Sequence, residues 1–83
     1  MESNPALVAL VAANVRRERL AAGFTLAALA EATNLKVPNL SRLEGGKTAP
    51  NVVTLKRVAD ALGVPVCRLL DPPPPELKKR KGK

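Results

Sequence analysis

An all-α fold is predicted by three features of this 83-residue sequence. Apolar residues recur at three- and four-residue intervals, capping residues stand ahead of these runs, and Gly or Pro punctuates their ends. No segment shows the two-residue alternation of a strand. Five helices in one domain over residues 1–71 are expected, with residues 72–83 as a proline spacer and basic tail.

Asn4-Pro5 starts helix one, with Asn as N-cap and Pro at the first helical position, where its missing N–H costs nothing. Val8, Val11 and Val15 then share one face, and Gly23 stops the helix. Thr25 caps helix two, which runs through Leu26, Leu29 and Ala30 to about Thr33. Asn34 tolerates the left-handed conformation that a sharp turn needs. Lys36 or Val37 opens helix three, with Leu40 and Leu43 facing inward and Gly45-Gly46 ending it. Pro38 is acceptable there because it lies in the first turn.

Asn51 caps helix four, whose apolar stripe is Val52, Leu55, Val58, Ala59 and Leu62, and Gly63 ends it. Pro65 opens a last short helix containing Val66, Leu69 and Leu70. Four prolines at 72–75 cannot continue a helix and form an extended spacer before a disordered ELKKRKGK tail. No internal repeat is present.

Composition excludes several classes. A single Cys, Cys67, excludes a disulfide framework and any multi-cysteine metal site, and with no His either no zinc site is expected; no cofactor is expected. Scattered carboxylates and the absence of a Gly-rich phosphate loop exclude an enzyme. Phe24 is the only aromatic, so there is no stacking platform for single strands. The apolar stretch from Leu7 to Val15 is too short to span a bilayer and has no basic segment before it, so a cytoplasmic protein is expected. No small-molecule ligand is evident. Residues 1–71 hold nine Lys/Arg against six Asp/Glu, and residues 72–83 hold five against one. That balance suits a polyanionic partner. A domain this small buries only about 60% of its unfolded surface, so its core is thin.

Helices two and three, joined by a tight turn and followed by Gly45-Gly46-Lys47, have the build of a helix-turn-helix. From about Val11 to Leu70 the pattern resembles the lambda and 434 repressor/Cro, or Xre-type, family of helix-turn-helix proteins. Arg19, Gly23-Phe24-Thr25, Leu29-Ala30, Ser41-Arg42-Leu43-Glu44, Gly46-Lys47, Pro50, Ala61-Leu62-Gly63-Val64 and Leu69-Leu70 carry the likeness. It implies a lambda-repressor-like five-helix domain that binds double-stranded DNA.

Carried over position by position, the resemblance puts helix three in the major groove. Lys36, Val37, Pro38 and Arg42 then point at base edges, with Asn39 close by. Arg42 is suited to grip guanine O6 and N7 together, worth about 1–3 kcal/mol of discrimination. Lys36 reads guanine or holds a phosphate, and Val37 and Pro38 offer only apolar contact. The implied phosphate set is Thr25, Leu26, Ser41, Gly46 and Lys47, using the positive end of helix two and the loop after helix three. Leu26 departs from the family, many of whose members carry a DNA-contacting Gln there. Arg19 and Glu44 are the implied structural ion pair. Glu18, where relatives often have an apolar residue, implies a slightly different exposure of helix one. Thr33-Asn34 replace the family's common Leu-Gly.

One recognition helix reads only about 4–6 base pairs, so a homodimer on two half-sites is expected. The candidate interface is the last helix and the loop before it: Val64, Val66, Arg68, Leu69 and Leu70. Cys67 beside it reads as a small hydrophobe, with a redox sensor as the alternative. Lys78, Lys79, Arg80, Lys81 and Lys83 form either a non-specific DNA-binding arm or a solubility tail.

The function expected is a bacterial or phage transcriptional regulator, nucleoid-associated when bound. It represses by occupying an inverted-repeat operator as a dimer. Only about twelve residues follow the fold, leaving no room for an effector domain. Phage regulators, restriction-modification control proteins and antitoxins all fit. The alternative is a protein-binding module, such as an antitoxin or polymerase-interacting factor, that keeps the same scaffold.

Overall fold

The computed structural model describes residues 4–73, and every regular element among them is helical: α1 (Pro5–Ala21), α2 (Leu26–Thr33), α3 (Val37–Glu44), α4 (Val52–Leu62) and α5 (Cys67–Leu70). Capping chemistry sets the boundaries. The Asn4 side chain accepts from the Leu7 N–H, Thr25 from Ala28, and Asn51 from Thr54. Each such cap satisfies one of the donors that a helix N-terminus leaves free. At the other ends, Asn34 (φ 60°) and Gly63 (φ 74°) adopt the left-handed conformation. Asn34 is the only non-glycine residue with positive φ among those described.

The core is a single cluster built from Val11 and Val15 of α1, Leu29 and Ala30 of α2, and Leu40 and Leu43 of α3. Leu55, Val58, Ala59 and Leu62 of α4 and Leu69 of α5 complete it. Phe24, Leu26, Leu35, Val64 and Val66 pack against its edge. α1 packs on α5 and α3, and α2 on α4 and α3, so the α2–turn–α3 unit is clamped from both sides.

Two local expectations are corrected. The last helix begins at Cys67, not Pro65, because residues 65–69 first close tight i→i+3 bonds: Arg68 N–H to the Pro65 carbonyl (3.0 Å) and Leu69 N–H to Val66 (2.9 Å). Val52 does not belong to the buried stripe of α4. It occupies the first helical position and is 73% exposed, and the buried face begins one turn later at Leu55.

Helix one also carries polar residues inward. Asn14 and Glu18 are buried on the face that meets α5. Glu18 Oε2 accepts from Arg17 Nη2 and Arg68 Nε, both at 3.0 Å. Arg17 Nη1 reaches Asn14 Oδ1 at 2.6 Å, while Arg17 Nε is buried without a hydrogen-bond partner. The position that relatives often fill with an apolar side chain is therefore still an inward one, and two guanidinium groups neutralise its charge. No helix among the described residues is long and apolar enough to cross a membrane. The spacer beyond Pro73 and the basic tail, Lys78 to Lys83, lie outside the described residues.

Candidate nucleic-acid interface

Helix α3 is eight residues long and buries only Leu40 and Leu43. Those two anchors, three residues apart, turn the rest of the helix outward. Lys36, Val37, Pro38, Asn39, Ser41 and Arg42 are all exposed. Lys36 is the N-cap residue in extended conformation (φ −84°, ψ 145°), and its side chain makes no capping bond. The ammonium group is thus left to the surface. Pro38 sits in the first turn, where no intrahelical N–H is required of it. Arg42 Nη1 donates to Asn39 Oδ1 at 2.9 Å, one turn back along the exposed face.

Two flanking elements border this face. At the start of α2, the Thr25 hydroxyl is used to cap the Ala28 N–H (3.0 Å). Its side chain therefore serves the helix, and an anion here would meet first-turn N–H groups such as those of Leu26 and Ala27. Leu26 itself is half-buried against the core. After α3, the Gly46 N–H donates to the Leu43 carbonyl (3.2 Å) and the Lys47 N–H to Arg42 (2.9 Å). Gly46 needs its φ of +72° to close that turn, which a side chain would strain. The closed turn holds the backbone of Lys47 while its side chain remains exposed.

Between α1, α2 and α3 lies an open depression of about 300 Å³ lined by Arg16, Arg19, Leu26, Ser41, Glu44 and Gly45. Its floor is an ionic fork. Arg19 Nε and Nη2 donate to Glu44 Oε2 and Oε1 at 2.7 and 3.1 Å, and Arg19 Nη1 donates to the Phe24 carbonyl at 2.9 Å. The two side chains are 12% and 8% exposed. One guanidinium thereby joins the end of α3 to the residue that leads into α2, setting the spacing of the two helices. Arg16, exposed on the rim one turn before Arg19, was not singled out from the sequence. Its three-residue spacing from Arg19 is the signal that would have found it.

Charge is distributed to match. Ion pairs among the described residues engage Glu18, Glu44 and Asp60, whereas Arg16, Lys36, Arg42 and Lys47 take part in none of them. Glu44, the carboxylate of α3 itself, is thus neutralised, and Lys36 and Arg42 are left out of the ion pairs. No group of three or more His, Cys, Asp or Glu among the described residues could hold a metal ion.

The candidate dimer surface divides. Leu69 is fully buried in the core and cannot present itself to a second subunit, which corrects its assignment to an interface. Arg68 is exposed but holds Glu18 through Nε. Val64 and Val66 are half-buried, and Leu70 and Cys67 are exposed.

Known proteins resemble this chain in sequence and in fold. The HTH-type transcriptional regulator SutR of Escherichia coli (strain K12) is 31% identical over 67 residues, covering 81% of this chain. This chain spans only 38% of the length of SutR. Among solved structures, the clp gene regulator ClgR from Corynebacterium glutamicum superposes with a TM-score of 0.75 at 36% identity, over 77% of this chain and 68% of its own. The hypothetical transcription factor NHTF from Neisseria reaches a TM-score of 0.80 at 29% identity, over 95% and 92% of the two chains. These relatives carry the names of transcription factors and regulators, not enzymes. Residues 15–69, from the middle of α1 through Leu69 of α5, match the helix-turn-helix family HTH_3, and the chain belongs to that family.

Proposed function

We propose that this protein is a sequence-reading, double-stranded DNA-binding transcriptional regulator that inserts α3 into the major groove. The observation that carries this reading is the outward face of α3. It holds Lys36, Val37, Pro38, Asn39 and Arg42 at the surface on two fully seated anchors, with a helix N-terminus and Lys47 to either side. Side chains on that face reach base edges, while the Leu26 and Ala27 amides, Ser41, Gly46 and Lys47 meet phosphates. The names of SutR, ClgR and NHTF support the regulatory class.

Regulation by repression follows as the simplest action of a small domain that occupies a promoter. An inverted-repeat operator bound by a homodimer suits a helix that alone reads few bases. Leu70 and the exposed edges of Val64 and Val66 are the remaining apolar candidates for the contact between subunits.

Selection of binding sites from a random duplex library at about 150 mM salt tests the proposal, because non-specific phosphate attraction is weak there. Recovery of an inverted repeat, lost in Arg42→Ala, is expected. Binding that shows no sequence enrichment and vanishes with salt would overturn it.

A further inference from the structure

The major-groove edges of the four bases differ in what they demand. Guanine offers two acceptors, and thymine offers one acceptor and a methyl group. Adenine and cytosine each present an amino donor, so selecting them calls for an acceptor on the protein. Two of the side-chain acceptors of α3 are engaged within the protein. Glu44 is the only carboxylate on the helix, and both its oxygens are held by Arg19 at 2.7 and 3.1 Å, away in the depression behind α3. Asn39 Oδ1 receives Arg42 Nη1 at 2.9 Å. The exposed Ser41 hydroxyl lines the depression shared with Arg16 and Leu26, on the side assigned above to phosphate and away from the base-reading residues. What remains is donors (Lys36 Nζ, Asn39 Nδ2, and Arg42 Nε and Nη2) together with the apolar surfaces of Val37 and Pro38.

We infer that α3 reads keto edges: a guanine gripped by Arg42, whose approach is set by Asn39, within a half-site whose contacted strand carries G and T. The inference rests on the DNA-reading role proposed above. With Nη1 engaged by Asn39, Arg42 presents its Nε/Nη2 edge, the same pair of donors that Arg19 uses to clasp Glu44. That edge matches guanine O6 and N7. Asn39 is a positioning residue for Arg42, and its remaining amino group donates to a neighbouring O6 or O4. Because its oxygen is turned to Arg42, it does not supply the acceptor–donor pair that adenine requires. Val37 and Pro38 complete the set by accepting a thymine methyl.

Site selection at about 150 mM salt, followed by equilibrium titration of the selected duplex and of a duplex with the central guanine changed to adenine, tests this. Wild type should enrich G and T on one strand of each half-site and prefer the guanine duplex by about 5- to 150-fold. Premethylation of that guanine at N7 should block binding. Asn39→Ala should lose several-fold of the guanine preference without a change in thermal unfolding. Asn39→Asp, which keeps an acceptor for Arg42, should retain the preference at lower overall affinity. Enrichment of A or C on the contacted strand, or an unchanged guanine preference in Asn39→Ala, would overturn the inference while leaving the DNA-reading role intact. Absence of any enriched sequence would overturn both.

Discussion

Asn14 on α1 donates a hydrogen bond from Nδ2 to the backbone carbonyl of Leu69, 55 positions along the chain, at 2.9 Å. The same amide nitrogen reaches the carbonyl of Asp71 at 2.8 Å. A helix of four residues leaves its last carbonyls without intrahelical donors, and here a buried side chain from another helix supplies them. The contact explains how so short an element as α5 holds its place in the core.

Asn14→Ala should therefore destabilise the domain by about 1–3 kcal/mol, since it strands buried carbonyls and a neighbouring arginine. Thermal unfolding should fall by about 4–8 °C for each kcal/mol in a domain of this size. An unchanged midpoint would show that the amide contributes nothing net.

Arg19→Ala breaks a nearly buried ion pair and leaves the Glu44 carboxylate without its partner. Losses of about 3–5 kcal/mol are typical of such deletions. Simultaneous Arg19→Ala and Glu44→Ala should recover part of the loss, because the stranded charge is gone. DNA affinity should also drop in the single variant through the altered α2–α3 spacing. A midpoint equal to wild type would refute this role.

Leu69 and Leu70 are adjacent in sequence and opposite in environment. Leu69→Ala should cost about 2–5 kcal/mol of stability by opening a cavity in the core. Leu70→Asp should leave the fold intact and weaken self-association, read by sedimentation with and without a duplex containing two half-sites. Unchanged assembly in Leu70→Asp would remove α5 as the subunit contact.

Lys47→Ala should weaken binding to every sequence alike and leave base preference untouched. The slope of log affinity against log salt should become shallower by about 0.9, the contribution of one neutralised phosphate. A changed preference with an unchanged slope would mean that Lys47 reads bases.

Much of this molecule is legible in the chain because local chemistry decides it. Thr25, Asn34, Asn51 and Gly63 cap or close helices with bonds made within a few residues, so their roles follow from residue type and position. Leu40 and Leu43 mark the inner side of α3, and the exposed placement of Lys36, Asn39 and Arg42 follows from helical spacing alone. The interruption of an apolar run by Asn14 also stands out in the sequence, but nothing nearby says what it bonds.

Tertiary structure decided the rest, for a physical reason common to every case: the partner lies far along the chain. Glu18 reads only as a polar residue at a commonly apolar position, and its partner Arg68 comes from 50 positions along the chain. Leu69 reads as a patch for a second subunit until α1 closes over it. Arg16 becomes part of the α2–α3 depression only when α1 is laid beside them. The helices, their caps and the outward reading face were determined by sequence-local forces. Which polar groups are buried, which apolar ones remain free, and that the Glu44 carboxylate is held by Arg19 depended on long-range packing that periodicity does not encode.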